Sequence, residues 1–324
     1  MIYFITFLEL TLAIDINAFD DQLGRAYKKA KTRGHPLQET DFGYFDKSLV
    51  KKGVIIAYHN NTKKKKIRLL MYPSQLIGNG NGKLSGVWEP TSSNISRLRD
   101  NLESLVEEYF DSDYQINDFK LSRIDIAADI DVGSRERVSD YIKILHNLGH
   151  VKLFSPIKHS KYEGMSKVNF FGLMGNSNGI EFRAYGLNDK KGILRVEVSL
   201  LKSTTIKVYL KETNTSKLIR DIAENSISIF MDVFKYIIPT GDHYKKGKAG
   251  DLIRERVSDT RMRGRMLRLL TLIPEKKSLL LAQKALNVRN ILDVMDKFED
   301  IGVSPITISK RHDVKHLKSL YDYL

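Results

Sequence analysis

Three stretches of this chain alternate residue types at the two-residue period of a β-strand, and each polar set contains groups able to do chemistry. In Leu121–Asp131, Ile124, Ile126, Ala128 and Ile130 fall on one face and Arg123, Asp125, Ala127 and Asp129 on the other. Gly179–Tyr185 sorts Ile180, Phe182 and Ala184 against Glu181, Arg183 and Tyr185. Gly192–Leu201 sorts Leu194, Val196, Val198 and Leu200 against Arg195, Glu197 and Ser199. Carboxylates gathered on one face are costly unless something positive joins them, and the candidates are arginines or a hard divalent cation, Mg²⁺ or Mn²⁺. Such an ion polarises a phosphodiester, and a tyrosine hydroxyl beside it can attack phosphorus to give a covalent intermediate. The alternative, from spacing alone, is an antiparallel sheet whose solvated face carries cross-strand ion pairs.

The elements that must position these residues are readable around them. Met1 to Ile14, rich in strand formers, predicts one or two buried strands; it is too short to span a bilayer, carries Glu9 and lacks the basic start of a signal peptide, so a cytoplasmic protein is expected. Gly53–Tyr58 and Lys66–Tyr72 flank a loop with a lysine run and read as a hairpin. Ser93 or Asn94 can cap a helix carrying Ile95, Leu98, Leu102, Leu105, Val106 and Tyr109 at helical spacing, and Arg135–Asn147 reads as a helix closed by Gly149. Lys167–Gly172 adds a strand. From Ser216 onward the pattern is helical, with a Gly/Lys-rich break at Pro239–Gly250 that reads as a linker. No repeat of fixed period is visible.

Three segments in this order, Ser-Arg-Ile-Asp-Ile-Ala-Ala-Asp (122–129), Ile-Glu-Phe-Arg-Ala-Tyr-Gly-Leu-Asn-Asp-Lys (180–190) and Leu-Arg-Val-Glu-Val-Ser-Leu (194–200), resemble the replication initiators of rolling-circle plasmids and filamentous phages. In those proteins an R-x-D-x-A-x-D strand, a strand ending in a tyrosine followed by a lysine, and an R-x-E strand assemble a nicking site. The resemblance spans about residues 85–205. It implies Tyr185 as the nucleophile that takes the cleaved 5′ phosphate, Lys190 as the accompanying basic residue, and Asp125 with Glu197 as metal ligands, Asp129 and Glu181 being second choices. Tyr162 and Tyr209 are the nearest competing tyrosines, each better explained as packing.

Charge agrees with a polyanionic partner: 53 Lys and Arg against 39 Asp and Glu leave a net +14. Hydrophobic residues at 42% exclude a disordered chain, and the absence of cysteine excludes disulfides and a thiol nucleophile. Gly78-Asn-Gly-Asn-Gly82-Lys83 fits no phosphate-binding fingerprint, so unwinding is expected from a partner helicase. In Asp251–Leu270, Arg254, Arg261, Arg265 and Arg268 fall within an arc of roughly 60° at helical pitch, a stripe suited to DNA phosphates. Arg183 and Arg195 are further DNA-binding candidates.

Together these predict an α+β fold, an antiparallel sheet with flanking helices followed by a helical C-terminal region. Residues 1–238 would form the nicking and joining domain, and 251–324 a basic region for DNA or a partner. The expected activity is metal-dependent tyrosine transesterification at a rolling-circle origin, leaving a 5′-phosphotyrosine and a free 3′ hydroxyl. Expected partners are origin DNA, host helicase and polymerase, and a second copy of the chain in a homodimer; no membrane partner is expected. A non-catalytic DNA-binding regulator is the rival reading. A tyrosine recombinase would want a helical catalytic domain and fits less well.

Overall fold

A computed structural model describes residues 2–60, 65–78, 90–151, 153–156, 169–173, 179–187, 192–212 and 214–324. The chain begins with strand β1 (Ile2–Ile14) and helix α1 (Ile16–Thr32), capped by Asp15, whose carboxylate accepts from the Ala18 N–H. Strands β2 (Gln38–Thr40), β3 (Gly43–Asp46), β4 (Val54–His59) and β5 (Lys65–Met71) follow, then short helix α2 (Pro73–Leu76) and long helix α3 (Ser92–Tyr109). The expected hairpin is β4 and β5, paired antiparallel with Val54 opposite Met71, and the N-terminal run is one strand. Thr91, two residues before the first of the expected caps, closes the start of α3.

The same path is then traced again. Strand β6 (Lys120–Asp131) leads into α4 (Arg135–Leu148), then β7 (Phe154–Pro156), β8 (Asn169–Leu173), β9 (Ile180–Gly186) and β10 (Ile193–Leu200), a short helix α5 (Ser203–Tyr209) and a long one, α6 (Thr215–Ile237). Strand order through the sheet is β2-β3-β4-β5-β1-β6-β10-β9-β8-β7. The order β2-β3-β4-β5-β1 in the first traversal thus recurs as β7-β8-β9-β10-β6 in the second. The sequence shows no matching repeat because the two passes share a path and not residues.

Two compact units divide the chain, one of residues 3–127 and 199–229, the other of 1–2, 128–198 and 230–324. In the first, Phe4, Leu8 and Leu10 of β1 are buried, as are Phe19 and Ala26 of α1 and Leu98, Leu102 and Val106 of α3. The Tyr58 hydroxyl donates to Tyr109, which donates to Asp46 at 2.7 Å, so the polar ends of this aromatic core are satisfied. In the second, Val138, Tyr141 and Leu145 of α4 are buried together with Phe182, Phe230 and Phe234. Gly149 ends α4 as expected, at φ +55°; a Cβ there would stand 2.1 Å from the Lys277 carbonyl, so only glycine lets the two backbones meet.

The C-terminal region is mostly helical: α7 (Lys246–Arg256), α8 (Thr260–Lys276), α9 (Leu279–Leu286) and α10 (Leu292–Asp300), with the pair β11 (His243–Tyr244) and β12 (His316–Leu317). The architecture is therefore an α+β antiparallel sheet flanked by helices and followed by a largely helical C-terminal region. Pro239–Gly250, read as a linker, contains β11 and the first turn of α7. Among the described residues no helix is long and apolar enough to cross a membrane.

Candidate active site

Strand periodicity delivers the second unit's polar residues to one place. Arg183 and Tyr185 stand on β9, Arg195 and Glu197 on β10, and Asp129 on β6. Glu197 is the hub: its Oε1 accepts from Arg183 Nη2 at 2.7 Å and its Oε2 from the Tyr185 hydroxyl at 3.0 Å. Arg195 grips Asp129 through two parallel bonds, Nε to Oδ1 at 2.7 Å and Nη2 to Oδ2 at 2.9 Å, and also hydrogen-bonds Tyr185. The five side chains form one chain of contacts, Asp129 to Arg195 to Tyr185 to Glu197 to Arg183.

The polar face is not solvated. Arg195 is 3% exposed, Glu197 5% and Arg183 9%. Burying one such charge unpaired would cost several kcal/mol, on the order of the penalty for an uncompensated ion, so each charge here is matched. Arg183 and Arg195, expected to meet DNA phosphates, are placed as these internal partners.

Burial raises the Tyr185 phenol well above its ordinary range, and the Glu197 carboxylate raises it further; the Arg195 and Arg183 guanidiniums work in the opposite sense. The phenol is thus held protonated at neutral pH, with a carboxylate placed to accept its proton and guanidiniums placed to steady the phenolate. The Asp129 carboxylate holds Arg195 above its ordinary value against the opposing effect of burial. Periodicity placed these residues on one face, but it could not pair them. The signal that could is the R-x-E spacing of β10, which puts Arg195 and Glu197 side by side and gives each a separate cross-strand partner.

Asp125 lies in the first unit, 3% exposed, where Arg123 holds it by Nε to Oδ1 at 2.9 Å and Nη2 to Oδ2 at 2.7 Å. Glu181 stands on β9 opposite Gly172. Glu197 and Asp129 supply the hard oxygen donors that Mg²⁺ or Mn²⁺ prefers, but each is engaged by a guanidinium. Among the described residues no three His, Asp or Glu side chains are grouped to hold an ion. Lys190 and Tyr162 lie outside the described residues, and Tyr209 closes α5.

The arginine stripe is divided between two helices. Helix α7 stops at Arg256, Val257 is buried in an extended conformation, and Asp259 caps α8 by accepting from the Arg261 and Met262 N–H groups. A cap and a buried apolar residue three positions after Arg254 end the helix that spacing alone would continue. Arg254 bonds Asp251 at 2.9 Å, while Arg261 and Arg268 are exposed on α8 and Arg265 is partly so. Helix α8 runs through Pro274 to Lys276.

Comparison with protein-family models, with curated proteins and with solved structures returns no match to this chain.

Proposed function

We propose that this protein initiates DNA replication by nicking one strand at a rolling-circle origin, with Tyr185 as nucleophile. The observation that carries the reading is the Tyr185 hydroxyl held 3.0 Å from Glu197 with the Arg195 guanidinium beside it. In the proposed step Glu197 takes the phenolic proton as the Oη–P bond forms and the P–O3′ bond breaks. The departing 3′ oxygen takes a proton from water and becomes the primer hydroxyl. One phosphodiester replaces another, so the energy for rejoining is stored in the adduct and no nucleotide is consumed. The exposed arginines of α8, with the net charge of +14, supply phosphate contacts for the same substrate.

The resemblance adds a Mg²⁺ or Mn²⁺ requirement through Asp125, Asp129, Glu181 and Glu197, and Lys190 as the accompanying basic residue. The metal requirement is a separate proposal, tested by nicking in EDTA with Asp125→Ala alongside. Full activity in EDTA would remove the ion and leave the tyrosine chemistry. A DNA-binding regulator without catalysis is the second reading, favoured by the guanidinium partners of Asp125, Asp129 and Glu197. Incubation with single-stranded origin DNA and Mn²⁺ separates the two readings. The nickase leaves a denaturant-resistant nucleotide that peptide mass spectrometry places on Tyr185, and the regulator leaves none.

A further inference from the structure

The first unit has a polar sheet face of its own, and its chemistry differs from that of the Tyr185 cluster. Antiparallel register sets Glu9 opposite Leu70, Thr11 opposite Arg68 and Ala13 opposite Lys66. Two residues further along, Phe7 meets Tyr72, ring centroids 5.4 Å apart and edge to face. The Arg123 guanidinium lies over the Phe7 ring, 4.9 Å from its centroid. Both nitrogens that Arg123 offers to Asp125 are bonded along its edge, so the plane of the guanidinium is fixed. Phe7 and Tyr72 remain partly exposed, and the Arg123 side chain is 29% exposed.

A partly exposed aromatic pair with a clamped planar cation, on a sheet, is an arrangement that receives unpaired bases, which stack on aromatic rings and on guanidinium planes alike. A base paired inside a duplex keeps its faces stacked on its neighbours and cannot use such a platform. The rest of the face fits the backbone of the same ligand. Lys66 stands about 20 Å from Tyr72 along β5, from the rise of roughly 3.4 Å per residue, while Arg68 between them is held by Glu9. Lys66 is exposed, and the carboxylates of this face, Glu9 and Asp125, are each matched by a guanidinium, so neither repels a phosphate in full.

We propose that this face of the first unit is a stacking platform for single-stranded DNA, with Phe7, Tyr72 and Arg123 receiving bases and Lys66 meeting the backbone. It adds a second contact with DNA and makes no use of Tyr185.

The test is equilibrium binding of a short labelled oligothymidylate that contains no cleavage site, so failure of the nicking proposal and failure of this one are read separately. The double variant Phe7→Leu with Tyr72→Leu keeps apolar volume in the sheet and should weaken binding about tenfold or more, the size of a lost base–aromatic stack. The salt dependence should keep its slope, because no phosphate contact is removed. An abasic strand should bind the wild type and the variant equally. With the unaltered protein, an iodouracil-substituted strand should photo-crosslink to the peptide holding Phe7 or Tyr72, a readout that does not depend on the variant folding. Crosslinks confined to other peptides, or equal oligothymidylate affinity in a folded variant, would overturn the proposal.

Discussion

Tyr185 and Glu197 define what a single residue can be asked to do in this molecule. A phenol whose proton is held by burial and by a neighbouring carboxylate is a poor nucleophile until that carboxylate takes the proton, so in the proposed step the two side chains act as a pair. Tyr185→Phe removes only the hydroxyl and should bind origin DNA without forming an adduct, as read on a denaturing gel. Glu197→Gln keeps a hydrogen-bond acceptor of the same size but cannot take a proton. It should slow adduct formation by roughly 10²–10⁴-fold, the usual worth of a positioned general base. Glu197→Ala should do something further. It leaves Arg183, 9% exposed, without its carboxylate, and losing one partner of a buried pair typically costs about 3–5 kcal/mol, so this variant should also unfold earlier in urea. Wild-type adduct yield from Tyr185→Phe would move the nucleophile elsewhere. The residue types of this cluster were legible from alternation alone, because a strand sorts its side chains by parity. Their burial was not, because what covers a sheet face is set by residues far away in sequence.

At the scale of elements, helix α8 carries the test of DNA contact. Changing Arg261 and Arg265 to Ala should flatten the logarithmic salt dependence of DNA binding by about one to two units, since each lost phosphate contact releases fewer counterions. Arg254→Ala should leave the slope almost unchanged, because that side chain sits on α7 and is paired with Asp251. An equal effect of Arg254 and Arg261 would restore a single arginine face. Strands and amphipathic helices were read correctly where one residue pattern dominated. Leu98, Leu102, Leu105 and Val106 mark the buried side of α3, and Gly149 marks the end of α4. The break between α7 and α8 escaped because Val257-Ser258-Asp259 is compatible with helical spacing, and only the capping bond from Asp259 and the burial of Val257 select against it. The repeated strand and helix path escaped for a related reason. Topology is conserved between the two passes by packing, which accepts many sequences.

For the molecule as a whole, pH is the variable that separates local burial from total charge. His243 is 3% exposed, with its Nδ1 2.9 Å from the Ile306 carbonyl, and burial pushes its pKa down to about 4; the Ile306 carbonyl and Asp242 oppose that fall and His316 adds to it. Burial lowers His146 as well. An unfolded histidine titrates near 6.5, so between about pH 6.5 and 4 the unfolded chain binds protons that the folded chain refuses. Stability therefore rises with pH across that window, is fully present above about 6.5, and is lost as the pH falls towards 4. A depression of about 2.5 units at this buried site corresponds to roughly 3 kcal/mol at the acid end. Net charge also rises above +14 over the same range as exposed histidines, and then carboxylates, take up protons, and that repulsion also opposes folding. Salt distinguishes the two, since it screens repulsion between exposed charges but does not hydrate a buried imidazole. Thermal melts of the full chain should fall steadily from pH 7 to 4.5 in high salt as well as low. His243→Asn, whose side-chain N–H₂ stands where Nδ1 does and can still donate to Ile306, has no charge to refuse and should show a flatter profile in both. A wild-type fall abolished by salt, or a His243→Asn profile as steep as wild type, would assign the acid sensitivity to the overall charge.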